Sequence, residues 1–127
     1  MKHILMTILC LLTTLLLCAQ KKEWKQMEDF HSVMSKSYHP VEEDNFQPVK
    51  DNVDALIQKA QAWQASAIPS GYNKKLVKQK LDKLVNDCKA VKEAIAQKKN
   101  NGDLKKLITV AHKTFHEIME KGENKDG

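Results

Sequence analysis

The sequence predicts an all-α protein, an antiparallel up-down-up-down four-helix bundle that follows a cleaved signal peptide. Apolar residues recur at alternating three- and four-residue spacing in four successive segments, and turn-forming residues separate the segments. No stretch alternates apolar and polar residues as a half-buried strand would. The connections are short, which favours antiparallel neighbours.

The chain opens MKHILMTILCLLTTLLLCAQKKEW: one lysine, a nearly unbroken apolar run from Ile4 to Leu17, then Cys18-Ala19-Gln20 and an abrupt switch to charge. That run is shorter than the roughly 20 apolar residues a spanning helix needs, so residues 1–19 read as a secretory signal peptide cut after Ala19. Leu17 is larger than the residue usual three positions before a cut. The competing reading is a lipoprotein acylated on Cys18, although no small residue precedes that cysteine. Either way the protein is expected to be exported, periplasmic or secreted, with no membrane span after cleavage. Cys10 and Cys18 leave with the leader, so Cys88 has no partner for an internal disulfide. Residues 20–127 must be held by a hydrophobic core and suffice for a single domain.

The first helix is expected over about 22–38, with Trp24, Met27, His31, Met34 and Tyr38 as its inward stripe, and Tyr38-His39-Pro40 as its end. The second, 45–67, carries Phe46, Val49, Val53, Leu56, Ala60, Trp63 and Ala67. Pro48 fits only near its start, and Glu42, Glu43 and Asp44 sit beside its positive end. Ile68-Pro69-Ser70-Gly71 leads to the third helix, 73–99, with Val77, Leu81, Leu84, Cys88, Val91 and Ile95 inward. Asn100-Asn101-Gly102 then precedes the fourth, 103–121, capped by Asp103, stopped by Gly122, and turning Leu104, Ile108, Ala111, Phe115 and Ile118 inward. Cys88 on such a seam reads as a buried, inert thiol.

Charge narrows the function classes. The net charge is +5, yet every basic residue besides histidine is lysine. Without arginine's bidentate fork or an aromatic stacking platform, the basic balance argues poorly for nucleic acid. Residues 74–99 hold nine lysines against three acids, which reads as a solvated helix face. No serine, histidine and acid arrangement reads as a triad and no glycine-rich phosphate loop occurs, so the protein is expected not to be an enzyme.

The histidines carry the remaining chemistry. His31 falls on the expected inward stripe of the first helix, next to Met34. On the fourth, His112 and His116 each follow an inward position and stand one turn apart. Antiparallel pairing brings His31 opposite residues 110–116, so His31, Met34, His112 and His116 are expected to converge. Imidazoles four apart on a helix chelate zinc or copper, and an added thioether favours Cu(I). Neither H-E-x-x-H nor a paired E-x-x-H motif is present. Lys36-Ser37-Tyr38-His39 echoes Lys113-Thr114-Phe115-His116, but His39 lies at a different height and is expected near Glu42 and Glu43. The bland alternative is a cofactor-free helical interaction module whose partner is another exported or membrane-bound protein, with histidines on a wetted flank.

The leader, the four helices in about a hundred residues, a methionine early in the first helix and a histidine late in the fourth together resemble the small periplasmic b-type cytochromes. That resemblance implies haem b held by Met27 and His116 as axial ligands, and a role in electron transfer or haem binding. C-x-x-C-H is absent, so covalent attachment is not expected.

Overall fold

Four helices make up most of residues 23–124, the part of the chain described by the computed structural model. They are α1 (Lys25–Glu42), α2 (Gln47–Ala65), α3 (Lys74–Ala96) and α4 (Asn101–Lys121). The expected signal peptide and its cut, with Cys10 and Cys18, lie outside the described residues. Consecutive helices pack against one another and α1 meets α4, which is the loosest of the four contacts. No strand occurs among the described residues. Among them, too, no helix is long and apolar enough to cross a membrane.

Three of the four expected stripes are the buried ones. Every α4 position named from the sequence is at most 1% exposed, and α2 buries its stripe from Phe46 to Trp63, while Ala67 lies past the helix end and is exposed. On α3, Val77 to Val91 are buried as expected, Ile95 only partly so, and Val85 and Ala94 join them. Pro48 stands in the first turn of α2, where its missing N–H costs nothing.

The first helix differs in phase and length. Its buried residues are Phe30, Met34, Ser37 and Val41, so Phe30 and Ser37 take the inward places expected of His31 and Tyr38, while Met34 keeps its own. Of the residues expected inside, only Trp24 and Met34 are buried, while His31 is exposed. Ser37 can occupy the core because its hydroxyl donates to the Val33 carbonyl at 2.8 Å. The helix also runs through Pro40 to Glu42. Proline removes one hydrogen bond of the last turn, but the Pro40 carbonyl accepts from Glu43 N at 3.1 Å and Asn45 N at 2.9 Å, and burial of Val41 draws that turn onto the core.

At the other boundaries, α3 ends at Ala96 and not near 99, with Lys98 at φ 53° in the turn that follows. The cap of α4 is Asn100, whose side chain accepts from Asp103 N at 2.8 Å, and Asp103 sits inside the first turn. Gly122 does follow the last turn. A Cβ there would run into the Ile118 carbonyl oxygen.

Aromatic rings fill the middle of the bundle. Trp63 packs against Trp24, Phe30 and Phe115 with centroids 5.6 to 5.9 Å apart, which links α1, α2 and α4 across the core. Between α3 and α4 a polar clamp replaces part of the apolar contact. The buried Thr114 hydroxyl donates to Asp87 Oδ2 at 2.7 Å, and Lys83 Nζ reaches both Asp87 and Thr114. Lys80 pairs with Glu117 one turn along.

Candidate functional site

Where α1 and α4 come loosely together, flat rings close the seam. Tyr38 on α1 lies face to face with His112 on α4, centroids 3.8 Å apart and planes 14° apart. One turn along α4, His116 meets His112 edge-on at 4.4 Å, and the two Nε2 atoms are 3.1 Å apart. His31 stacks on Phe115 at 5.0 Å and 27°, and the same Phe115 ring touches His116 at 5.4 Å.

These contacts follow from local sequence. Residues four apart on a helix lie one above the other, so His112 and His116 share the flank of α4 beside the buried Ala111 and Phe115. The phase of α1 places His31 and Tyr38 on its facing flank. Glu120 extends the α4 series by one more turn, with Oε1 3.9 Å from His116 Nδ1.

An Nε2–Nε2 distance of 3.1 Å has a definite chemical meaning. Two bare lone pairs repel, so in the metal-free protein one ring must carry its proton on Nε2 and donate it to the other. The ring of His112 is held neutral far into acid: burial, then the neighbouring His116 and His39, push its pKa down to about 4, against an opposing pull from Glu42. Its nitrogen is therefore available as a ligand at neutral pH.

The expected four-residue cluster is only partly assembled. His112 and His116 meet, and His31 joins them through the shared Phe115 ring. Met34, one turn from both His31 and Tyr38 on α1, is fully enclosed in the core, whereas His31 is exposed. Among the described residues, no three or more histidine, cysteine, aspartate or glutamate side chains are grouped to hold a metal ion. His39 pairs with Glu42, Nδ1 to Oε2 at 3.2 Å, the neighbour expected for it.

Met27 and His116, the pair the haem reading names, stand on α1 and α4. Met27 lines a cavity of about 490 Å³ with Trp24, Tyr72 and Met119, and His116 is not among the described residues lining it. The space between the first and fourth helices at that height is filled by Phe30, Phe115 and Trp63.

Cys88 is fully buried and its thiol is pushed up to about 12 by burial, with Asp87 adding to the shift, so it supplies no thiolate. Two features of the site escaped the sequence reading. Tyr38 acts as a platform for His112 and not as a core residue, and Glu120 stands behind His116 at the same four-residue interval that pairs the histidines. No protein-family model, no curated protein and no solved structure matches the chain.

Proposed function

We propose that this chain is an exported, non-enzymatic bundle of antiparallel up-down-up-down helices that binds a late transition metal, zinc or copper, through Nε2 of His112 and His116. The observation that carries the reading is the 3.1 Å separation of those two atoms on a ring-lined flank. With metal–nitrogen bonds of about 2.0 to 2.1 Å, that separation corresponds to an angle of roughly 98° at the metal, between the square-planar and tetrahedral values. A metal ion would take the place of the shared proton. The proton leaves Nε2, and the displaced N–H belongs on the opposite ring nitrogen. For His116 that nitrogen faces Glu120, the carboxylate partner that metal-bound imidazoles commonly have.

The up-down direction of the helices is supported by contacts that tie chain ends together. Trp24 at the start of α1 donates its indole N–H to Ser66 just past α2, and Lys105 near the start of α4 approaches Asp44 just past α1. The backbone also joins Asn73, which caps α3, to Gly122 at the end of α4. Export rests on the leader sequence. His31 is close enough to interact electrostatically with His112 and belongs to the surroundings of the site, while Met34 is enclosed.

Calorimetric titration of the purified protein with zinc and with copper(II) tests the reading. One saturable site is expected, weakened at least about tenfold in His112→Ala and in His116→Ala, as loss of one of two ligands requires. Binding that both substitutions leave unchanged would rule the pair out.

A further inference from the structure

The cavity that Met27 lines is separate from the histidine pair, since neither His112 nor His116 is among the described residues around it. At about 490 Å³ it falls in the size range of small-molecule clefts. Three stretches of chain wall it: the start of α1, the connection from α2 to α3, and the end of α4. Backbone bonds fix two of these walls to each other. Asn73 N donates to Gly122 O at 2.8 Å and Asn124 N to Gly71 O at 2.7 Å, on either side of an antiparallel bridge between Tyr72 and Glu123. Gly71 makes the turn at φ 93°, where a side chain would be strained. The hollow is therefore built into the fold.

Its lining joins an apolar wall to a set of carboxylates. Trp24 and Tyr72 form an aromatic corner with centroids 5.1 Å apart, and Met27 and Met119 add polarisable thioether side chains. Trp24 already gives its indole N–H to Ser66 Oγ at 2.9 Å, so its ring is what remains for a ligand. The charged residues of the lining are Glu23, Glu28 and Glu123, and no lysine or histidine is among the described residues there, in a chain whose net charge is +5. The described lysines within two residues of the lining are engaged elsewhere. Lys25 pairs with Asp29 at 2.9 Å, Lys74 lines a different hollow beside Gln64 and Asp82, and Lys121 acts on Glu117.

That composition selects a ligand by charge. Carboxylates repel an anion, and a neutral apolar body would strip water from them with no charge in return. A bare metal ion needs several ligands converging on one point, and among the described residues no group of three or more histidine, cysteine, aspartate or glutamate side chains could hold one. A cation carried on an apolar body meets both parts of the lining. Its charge is drawn to the carboxylates and to tryptophan and tyrosine rings, and its body is shielded from water by the thioether side chains.

We propose that this cavity binds an organic ammonium ion, with the cationic group beside Glu23 and Glu28 and the apolar body against Trp24, Tyr72, Met27 and Met119. Tryptophan fluorescence and calorimetry on the purified protein test it, by titration with benzyltrimethylammonium chloride and, at matched ionic strength, with sodium phenylmethanesulfonate, an anion of similar size. The expected result is saturable one-to-one binding of the ammonium that weakens with added sodium chloride, and no binding of the sulfonate. Glu28→Gln, at an exposed position that folding does not depend on, should weaken the ammonium about three- to fivefold, the value of one unit charge at about 4 Å in water. Met119→Lys puts a positive charge on the wall and should weaken it at least about tenfold. His112→Ala should bind it as wild type does, which separates this cavity from the metal reading. Equal binding of the sulfonate, an ammonium affinity that Glu28→Gln or Met119→Lys leaves unchanged, or no binding at all overturns the proposal.

Discussion

Between pH 6.5 and pH 4 an unfolded chain protonates His112 while the folded one resists. The cause is burial of the ring first and the neighbouring histidines second, which together take its pKa from 6.5 to about 4. Because the folded value lies below the unfolded one, unfolding takes up a proton in this window. The stability contribution is fully present above pH 6.5 and is lost as pH falls toward 4. Taken at face value, the gap from 6.5 to about 4 is worth about 3 kcal/mol at 1.36 kcal/mol per pH unit. The ring is only half-buried, so water screens it, and about 1 to 2 kcal/mol is the figure to expect. Carboxylates also titrate below pH 5, so the quantity to measure is a difference. Urea unfolding of metal-free wild type and of His112→Gln, at half-unit intervals from pH 7 to 4.5, should show the wild type losing about 1 to 2 kcal/mol more than the variant. A difference that stays flat across the range, or an NMR titration of His112 centred near 6.5, would refute the reasoning.

Phe115→Ala should cost about 3 to 5 kcal/mol in the same unfolding assay, because a fully buried ring in contact with Phe30 and Trp63 leaves a cavity that its neighbours cannot close. Thr114→Val removes the hydroxyl between Asp87 and Lys83 and should cost about 1 to 2 kcal/mol. Paired with Asp87→Asn in a double-mutant cycle, its effect should be clearly non-additive. Cys88 should resist a thiol reagent at pH 8 in the native protein and react promptly in denaturing urea, since its thiol is enclosed and its pKa stands at about 12.

The helices α2, α3 and α4 were legible because each has one dominant apolar stripe whose spacing fits 3.6 residues per turn. In α1 two stripes compete. Trp24, Met27, His31, Met34 and Tyr38 read as continuous in sequence, whereas the stripe that is buried is broken by Ser37 and depends on Val41 lying beyond a position where His39-Pro40 suggests an end. A serine that satisfies itself on Val33 O and a proline in the last turn are tertiary accommodations, and neither has a spacing signature. The pairing of His112 with His116 was legible from its four-residue interval. Met34 was legible as an inward residue, whereas His31, read as its neighbour in the core, is exposed.

The misread phase and the candidate site are one physical fact. Since Phe30, Met34 and Val41 take the core, His31 and Tyr38 fall on the flank where α1 and α4 stay farthest apart, and rings span that gap. The imidazole of His112 therefore does two jobs, covering the seam with its face and offering a nitrogen at its edge. Phenylalanine at position 112 keeps the first and removes the second. His112→Phe is expected to unfold within about 1 kcal/mol of wild type at pH 7, since the stack on Tyr38 survives as a ring pair. It should also lack the acid-dependent loss and bind zinc no better than His112→Ala. Zinc affinity retained in His112→Phe would mean that the lone pair on Nε2 was never the ligand. If instead stability drops as far as for an alanine, the seam depends on the hydrogen bond to His116 and not on the stacked face.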